Sequence, residues 1–351
     1  MNSDPLVTIC LLTHNSEKTL NETLNSILRQ TYPNFEILVS DNYSYDKTKE
    51  IINYFQKKYP GKIIFRQNLK PIEADQDYIG CYYNYNSCIK SGLIKGDLVS
   101  FFHDDDIYDP KIIEKEVKLL VDNPEVGAVF TTADMIDRDG KKVGELGLPK
   151  ELRRKYKYNF NGIFNALLIN GNLFLQTPTF MTKPDIFDKV GLFNELKFRT
   201  SADLEMWLKI SENHLVSVIN ENLISWRKLG GGSASYQHLR TERADFFNVM
   251  DHYLYQKNLV KKFSKRNLRQ YEYQKRFNNT LRATNLLIKG EREEAKKLVS
   301  EPFPYSYFLA FFQNFNSKKI KEAVLRLLIK FIIITRTDKL TAKILYKLRY
   351  G

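Results

Sequence analysis

The sequence predicts an α/β fold, a mostly parallel sheet flanked by helices, followed by a C-terminal α-helical extension. Three observations lead there. Over residues 1–135 short apolar runs alternate with amphipathic helical segments, the pattern of strands joined by crossover helices. Polar clusters stand where those runs end, which is where open parallel sheets collect ligands. Beyond about residue 237 the strand-like runs stop and long basic helices take over.

LVTICLL at 6–12 is a β-branched run without polar alternation, suited to a strand covered on both faces. Ser16 is placed to cap the next helix, whose Leu20, Leu24, Ile27 and Leu28 keep helical spacing up to the TYPN turn at 31–34. FEILVS at 35–40 is a second strand, and DNYSYDKT leads into a helix over 46–58 with Ile51, Ile52 and Phe55 on one face. KIIFRQ at 62–67 is a third strand, followed by a helix-like segment at 77–94. DLVSFF at 97–102 is a fourth strand and ends in HDDD. Asp109 and Pro110 suit the cap and first position of a helix that turns Ile113, Val117 and Leu120 inward, and VGAVFTTA at 126–133 is a fifth strand. Residues 136–235 are less regular, with a DRDGK turn, a TPTFM segment at 177–181, and a helix at 202–213 capped by Ser201. Two strands at 215–219 and 222–227 precede GGGSAS at 230–235. Helices are expected at 240–257, 266–289, 291–299 and 319–334, with 273–300 the size of one helical hairpin.

The 351 residues are 43% hydrophobic and 27% charged, a globular mixture that excludes a disordered, fibrous or polytopic membrane chain. The net charge of +13 is uneven: 25 Lys or Arg face 10 Asp or Glu over residues 240–351, whereas 29 face 31 over residues 1–239. The basicity belongs to the last third and says nothing about a pocket built earlier. Cys10, Cys81 and Cys88 have neither CxxC spacing nor a His-rich neighbour, so they read as reduced, mostly buried thiols. The opening lacks a charged-then-apolar leader, and the apolar run at 323–334 is broken by Arg326 and Lys330, short of a spanning helix. The expected location is cytoplasmic, at most peripheral on the inner face of a membrane.

The predicted topology gathers Thr13, His14 and Asn15 after the first strand, Asp41 and Asn42 after the second, and Asp104, Asp105 and Asp106 after the fourth. Consecutive carboxylates at a strand end suit a divalent cation, Mn2+ or Mg2+, whose other ligands are substrate phosphates. The alternative is that these acids cap the following helix, yet Asp109 already stands at that position. No GxGxxG follows the first strand, and P-loop, HExxH and nucleophile-elbow patterns are absent. Hydride transfer, P-loop phosphoryl transfer and zinc hydrolysis lose ground.

At these residues a resemblance appears. VTICLLTHNSEKTLNETLNSILRQTYPNFEILVSDNYSYDKT closely resembles the opening of the family 2 glycosyltransferases, inverting enzymes of the Rossmann-like GT-A fold that use nucleotide sugars. Ser26, Ile27, Leu28, Gln30, Thr31, Tyr32, Asp41, Asn42, Ser44, Asp46 and Thr48 match that pattern. The likeness runs through GDLVSFFHDDDIYDP to VGLFNELKFRTSADLEMWLKI, covering about residues 5–235. It implies that Thr13 and His14 frame the nucleotide, Asp41 bonds the base, Asp104 lies near the ribose, Asp105 holds the cation and Asp106 supports the loop. UDP is the usual nucleotide it implies, and Asp41 alone leaves GDP and dTDP open. His103 replaces the first acid of a longer acidic run, and Tyr43 replaces a common glycine.

The same resemblance makes Asp203 the base that deprotonates the acceptor hydroxyl, although Ala202 replaces the preceding acid. The alternative for Asp203 is to complement a helix dipole, which would also keep it ionised. Glu205 either orients the acceptor or is solvated. Arg227, beside the GGGSAS stretch, either approaches the diphosphate from a flap or is structural. Trp226 and Trp207 can stack on sugars, with Trp207 better placed in the core. The implied partners are a nucleotide-sugar donor and a glycan or lipid-linked glycan acceptor of surface polysaccharide, lipopolysaccharide or glycoconjugate synthesis.

Residues 1–236 then form the catalytic domain, with a nucleotide-sugar half at about 1–135 and an acceptor half at about 136–236, and 237–351 form the basic extension. No nucleic-acid signature accompanies the charge. Lys319, Lys321, Arg326 and Lys330 on an apolar helix, with LYKLRY at 345–350, suit an anionic membrane surface or a helix packed with its lysines outward. A nucleotidyltransferase is the nearest enzyme rival, but THNSEKT lacks its glycine- and arginine-rich loop. The rival of another class is a noncatalytic membrane-surface scaffold with a decayed nucleotide site.

Overall fold

The structure, a computed structural model, describes residues 4–69, 77–172, 174–228, 238–302, 304–313, 315 and 317–350. The GGGSAS stretch at 230–235 lies outside them. The chain divides into two compact units, Met1–Ser233 and Ala234–Gly351.

The first unit is built on a ten-stranded mixed sheet. Strands β1 (Val7–Thr13), β2 (Phe35–Asp41), β3 (Ile63–Gln67) and β4 (Leu98–His103) pair in parallel in the order β3-β2-β1-β4. Every residue of β1 is buried, as its unbroken apolar run requires. The helices between them are α1 (Leu20–Leu28), α2 (Thr48–Lys58) and α3 (Asp77–Lys90). Gly96 lets the segment before β4 approach β1: a Cβ there would stand 2.5 Å from the Thr8 nitrogen. Its own N–H donates to the Thr8 hydroxyl at 2.8 Å.

The short strand β5 (Ile107–Tyr108) leads to α4 (Ile112–Asp122), then β6 (Val126–Ile136), β7 (Lys142–Leu146) and β8 (Lys157–Tyr158). Helix α5 (Phe160–Asn170) precedes β9 (Phe180–Thr182), which runs antiparallel between β4 and β6. Helices α6 (Asp185–Val190), α7 (Glu195–Phe198) and α8 (Ala202–Asn213) follow, and the unit's last strand is β10 (Leu215–Arg227). The two strands expected at 215–219 and 222–227 are thus one strand. Register shifts around Ile219 and Asn222 let it stay paired with β6 despite the polar Asn220–Asn222 interruption.

Two expected caps have other work. Thr19, not Ser16, immediately precedes α1, and the Ser16 hydroxyl points to Asp104 instead. Lys111 immediately precedes α4, and the Asp109 carboxylate accepts its N–H at 2.9 Å, closing a turn just before the helix. Of the cysteines, Cys10 and Cys88 are buried and Cys81 is exposed.

The second unit contains α9 (Asp245–Asp251), α10 (Lys265–Ile288), α11 (Arg292–Val299), α12 (Tyr305–Gln313), α13 (Ser317–Thr335) and α14 (Asp338–Tyr350). Gly290, at φ +83°, turns α10 into α11 and makes the expected hairpin. Ala283, Leu287, Ala295, Ile329, Ile332 and Leu345 form its main core. Two lysine-and-arginine positions expected on the outside of α13 turn inward. Lys319 donates to Gln270 and the Ala310 carbonyl, and Arg326 donates to Thr280 and the Arg276 carbonyl. No helix among the described residues is long and apolar enough to cross a membrane.

Glu116 lies on the buried face of α4 with neither carboxyl oxygen hydrogen-bonded. Burial pushes its pKa well above the ordinary value, so the folded protein holds it neutral. Its contribution to stability is therefore present below the unfolded-chain value of about 4.3 and is lost as pH rises toward the raised folded value. Glu116→Met keeps the volume and removes the acid. Urea melts are expected to show it stabilising by roughly 1–3 kcal/mol at about pH 8 and by less at about pH 5. An equal change at both pH values would refute the linkage.

Candidate active site

The carboxyl ends of β1 and β2 are tied through Asp41. Its carboxylate accepts the Thr13 hydroxyl at 2.9 Å, the Ser44 N–H at 2.9 Å, the Ser44 hydroxyl at 2.5 Å and the Gln67 amide at 3.0 Å. The side chain is wholly buried. Asp41 thus organises the loop, and a hydrogen bond to a base requires exchange of one of these partners. His14 is exposed beside it, its Nδ1 2.8 Å from the Asn42 carbonyl. Tyr43 sits at φ +62°, a left-handed conformation that glycine enters without the steric penalty a side chain carries. Asn15, at φ +52°, is held by Ser44 and Tyr45 across the same gap.

The HDDD turn after β4 is latched onto the first loop. The Asp104 carboxylate accepts the His14 N–H at 2.9 Å and the Ser16 hydroxyl. The Thr23 hydroxyl on α1 lies 3.1 Å from the Asp104 carbonyl and 2.8 Å from that of Asp106. One oxygen of Asp106 accepts the Arg227 N–H at 2.8 Å, while its buried Oδ2 has no hydrogen-bond partner. His103 Nδ1 lies 3.9 Å from that orphan oxygen, and its Nε2 bonds the Tyr85 hydroxyl.

His103, Asp104 and Asp105 keep some solvent access at the rim while Asp106 is fully buried, and their ionisation follows. Burial pushes Asp104 up to about 6. Burial and then the Asp104 charge push Asp105 up to about 7, and burial and then the Asp105 charge push Asp106 well above the carboxylate range. Burial lowers His103 to about 4, so its imidazole is neutral near pH 7. One ligand atom each from His103, Asp105 and Asp106 lie within 4.8 Å of one another. An orphaned buried oxygen, a neutral imidazole and crowded carboxylates fit a divalent cation.

Asp203 occupies the first turn of α8. Its carboxylate accepts the Leu204 N–H at 2.7 Å and the Thr177 hydroxyl at 3.2 Å. Contrary to the helix-end expectation, burial outweighs the favourable terminus and raises its pKa to about 6. Helix α3 joins this acid to the turn. Tyr82 donates to the Thr200 carbonyl and feels the Asp203 charge, while Tyr85 bonds His103 and feels Asp203, Asp106 and Asp104 together.

Arg227 is not on a flap. It is buried in β10, where Nε–H donates to the Asp105 carbonyl, Nη1 to that of Arg138, and Nη2 to Glu22 at 2.5 Å. Its donors brace the carboxylate turn rather than standing ready for a diphosphate. Glu205 is not solvated but buried, 3.3 Å from Lys209. Trp207 is core, packed on Phe130 and Phe180, and Trp226 is half-buried against the same sheet. The sequence reading missed His103, Tyr82, Tyr85 and Thr177 as site groups; His103 alone carried a signal, standing directly before the three acids. A groove of about 730 Å³ lined by residues including Glu17, Lys18, Asn21, Lys47 and Tyr54 contains none of these groups.

Comparison with known proteins gives the family and the fold. The profile described as glycosyl transferase family 2 matches residues 8–190. An uncharacterized glycosyltransferase of Methanocaldococcus jannaschii is 29% identical over 226 residues, 64% of this chain and 71% of that protein. EpsE of Bacillus subtilis, a glycosyltransferase by name, is 30% identical over 60% of this chain and 69% of its own. Among solved structures, S. aureus TarS 1-349 in complex with UDP-GlcNAc has a TM-score of 0.51 at 16% identity, over 97% of this chain and 88% of that one. The Pyrobaculum calidifontis mannosyltransferase PcManGT, in complex with GDP-Man and Mn2+, also scores 0.51, at 14% identity over 96% and 88%. At such identities the structural likeness carries the fold alone, and it is the GT-A fold with a helical C-terminal region. The chain belongs to glycosyl transferase family 2 and is a glycosyltransferase.

Proposed function

We propose that this enzyme moves a sugar, with inversion, from a nucleotide-sugar donor to a hydroxyl of a glycan or lipid-linked glycan acceptor in surface polysaccharide or glycoconjugate synthesis. One observation supports the reading: Tyr85 of α3 bonds His103 of the HDDD turn and feels the charge of Asp203 as well as those of Asp106 and Asp104, which sets the proposed base near the proposed cation-binding set. The UDP-GlcNAc and GDP-Man complexes of the structural neighbours support a nucleoside-diphosphate sugar, with a UDP-sugar as first candidate.

In this reading Thr13, His14 and Asp41 frame the nucleotide, and Asp104 faces the ribose. Asp105, Asp106 and His103 would hold the cation, and Tyr85 fixes the imidazole through Nε2. When bound, Mn2+ or Mg2+ offsets negative charge on the diphosphate leaving group. Asp203 takes the proton of the acceptor hydroxyl. The freed oxygen pair bonds the anomeric carbon from the face opposite the diphosphate, and the carbon–oxygen bond to phosphate breaks with its electrons on phosphate. Arg227 acts indirectly, by holding the backbone of the turn.

Asp203→Asn is expected to lower kcat by about 10²–10⁴-fold in a sugar-transfer assay while calorimetry shows donor affinity unchanged. Undiminished turnover would remove Asp203 from the chemistry. Because the base must be deprotonated, wild-type kcat/KM is expected to fall about tenfold per pH unit below the Asp203 value of about 6. A flat profile down to about pH 4.5 contradicts the assignment.

The cation site is tested without turnover. Mn2+ at about 100 times its Kd should stabilise the protein by about 2.7 kcal/mol in thermal melts. Asp105→Asn and His103→Ala should each diminish that gain at the same Mn2+ concentration. An unchanged gain in either variant removes that residue as a ligand, and full activity in excess EDTA refutes the cation altogether.

A further inference from the structure

Helix α13 has two apolar faces, and only one is used. Ile329, Ile332 and Ile333 enter the core of the second unit, while Ile320, Val324, Leu327, Phe331 and Ile334 are between 43% and 79% exposed. The exposed residues follow spacings of four and three, which keeps them within about 40° of one line along the helix. The following helix, α14, exposes Leu340 and Ile344 with Lys339, Lys343 and Lys347 in a row four residues apart. Lys321 and Arg336 are exposed as well. The only acids from 317 to 350 are Glu322 and Asp338, and both are buried.

We propose that α13 and α14 form a docking surface for anionic phospholipid, with the α13 row entering the interface and the α14 lysines meeting headgroups. A second copy of this chain could cover the aliphatic row, but it would set cations against cations without a compensating carboxylate. A nucleic acid would use the lysines and leave five large apolar side chains in water. An anionic bilayer surface satisfies both features, since apolar side chains enter the acyl boundary while lysines stay at the headgroups. Neither helix needs to span, in keeping with their interrupted apolar runs. The inference rests on this surface and not on the sugar-transfer reading.

The test uses the full chain with sucrose-loaded vesicles of phosphatidylcholine alone or with about 30% phosphatidylglycerol. Sedimentation is expected to show at least about tenfold stronger partitioning onto the anionic vesicles, weakening in high salt. Leu327→Gln with Phe331→Gln should lower that partitioning by about tenfold or more with the thermal melt unchanged, because both residues are exposed. Lys339→Gln, Lys343→Gln and Lys347→Gln together should erase the preference for anionic vesicles. Equal vesicle binding by the Leu327/Phe331 variant overturns the proposal. So does a wild-type dimer in sedimentation velocity that the same two substitutions dissociate while vesicles go unbound.

Discussion

The candidate site is organised around a conflict: three consecutive carboxylates enter a poorly solvated turn where they cannot comfortably all be charged. Their order is set by the backbone. Asp104 is turned to the first loop by the His14 N–H and the Ser16 hydroxyl, and Asp106 is turned to β10 by the Arg227 N–H. Asp105 is left between them, raised to about 7 by burial and by its neighbour's charge. Thr23 and Arg227 grip the carbonyls of the same turn, so repulsion is not relieved by letting the loop swing outward. A cation would relieve the conflict without disturbing those anchors, because the orphan Oδ2 of Asp106 and Nδ1 of His103 are not among them.

Helix α3 couples that turn to the rest of the site. Asn84 accepts from the Ser40 hydroxyl and donates to the Ser40 carbonyl, which fixes the helix against β2, and Asn86 bonds the Phe193 backbone ahead of α7. Between these two anchors Tyr85 is buried and stacked on Phe193. Its hydroxyl therefore has little freedom, and the His103 ring that it holds has little more. The result is a rigid bearing between a strand-end cluster and a helix-end acid that lie about a hundred residues apart in sequence.

How much of this could be read in advance follows from which interactions are local. The alternation of runs and helices over β1 to β4 is a short-range pattern, and so was the gathering of Thr13, Asp41 and the three acids at one edge. The strand β9 is three residues long and antiparallel, too short for any period to announce it. Ser16 and Asp109 carry the side chains of caps, yet the Ser16 hydroxyl is claimed by Asp104 because of where the HDDD turn falls in space, and the Asp109 carboxylate takes the Lys111 N–H in the turn ahead of α4. Arg227 looked available because its sequence neighbours are polar and glycine-rich; its partners Glu22, Asp105 and Arg138 are all distant in the chain. Lys319 and Arg326 fail for the same reason, being claimed by carbonyls and side chains of other helices.

Glu116 and Asp105 show why a perturbed acid does not by itself define a site. Burial raises both. Glu116 stands alone on one helix, with both oxygens unpaired and no titratable group among the causes of its shift, so its desolvation is a cost that nothing nearby converts into binding. Asp105 is raised partly by a neighbouring carboxylate and lowered by Arg227, beside an imidazole and an unpaired carboxylate oxygen gathered from the same turn. A cation entering there recovers the cost of several crowded groups at once, whereas one at Glu116 would meet a single acid in an apolar wall. Convergence, not the size of any one shift, separates the chemistry of this fold from its imperfections.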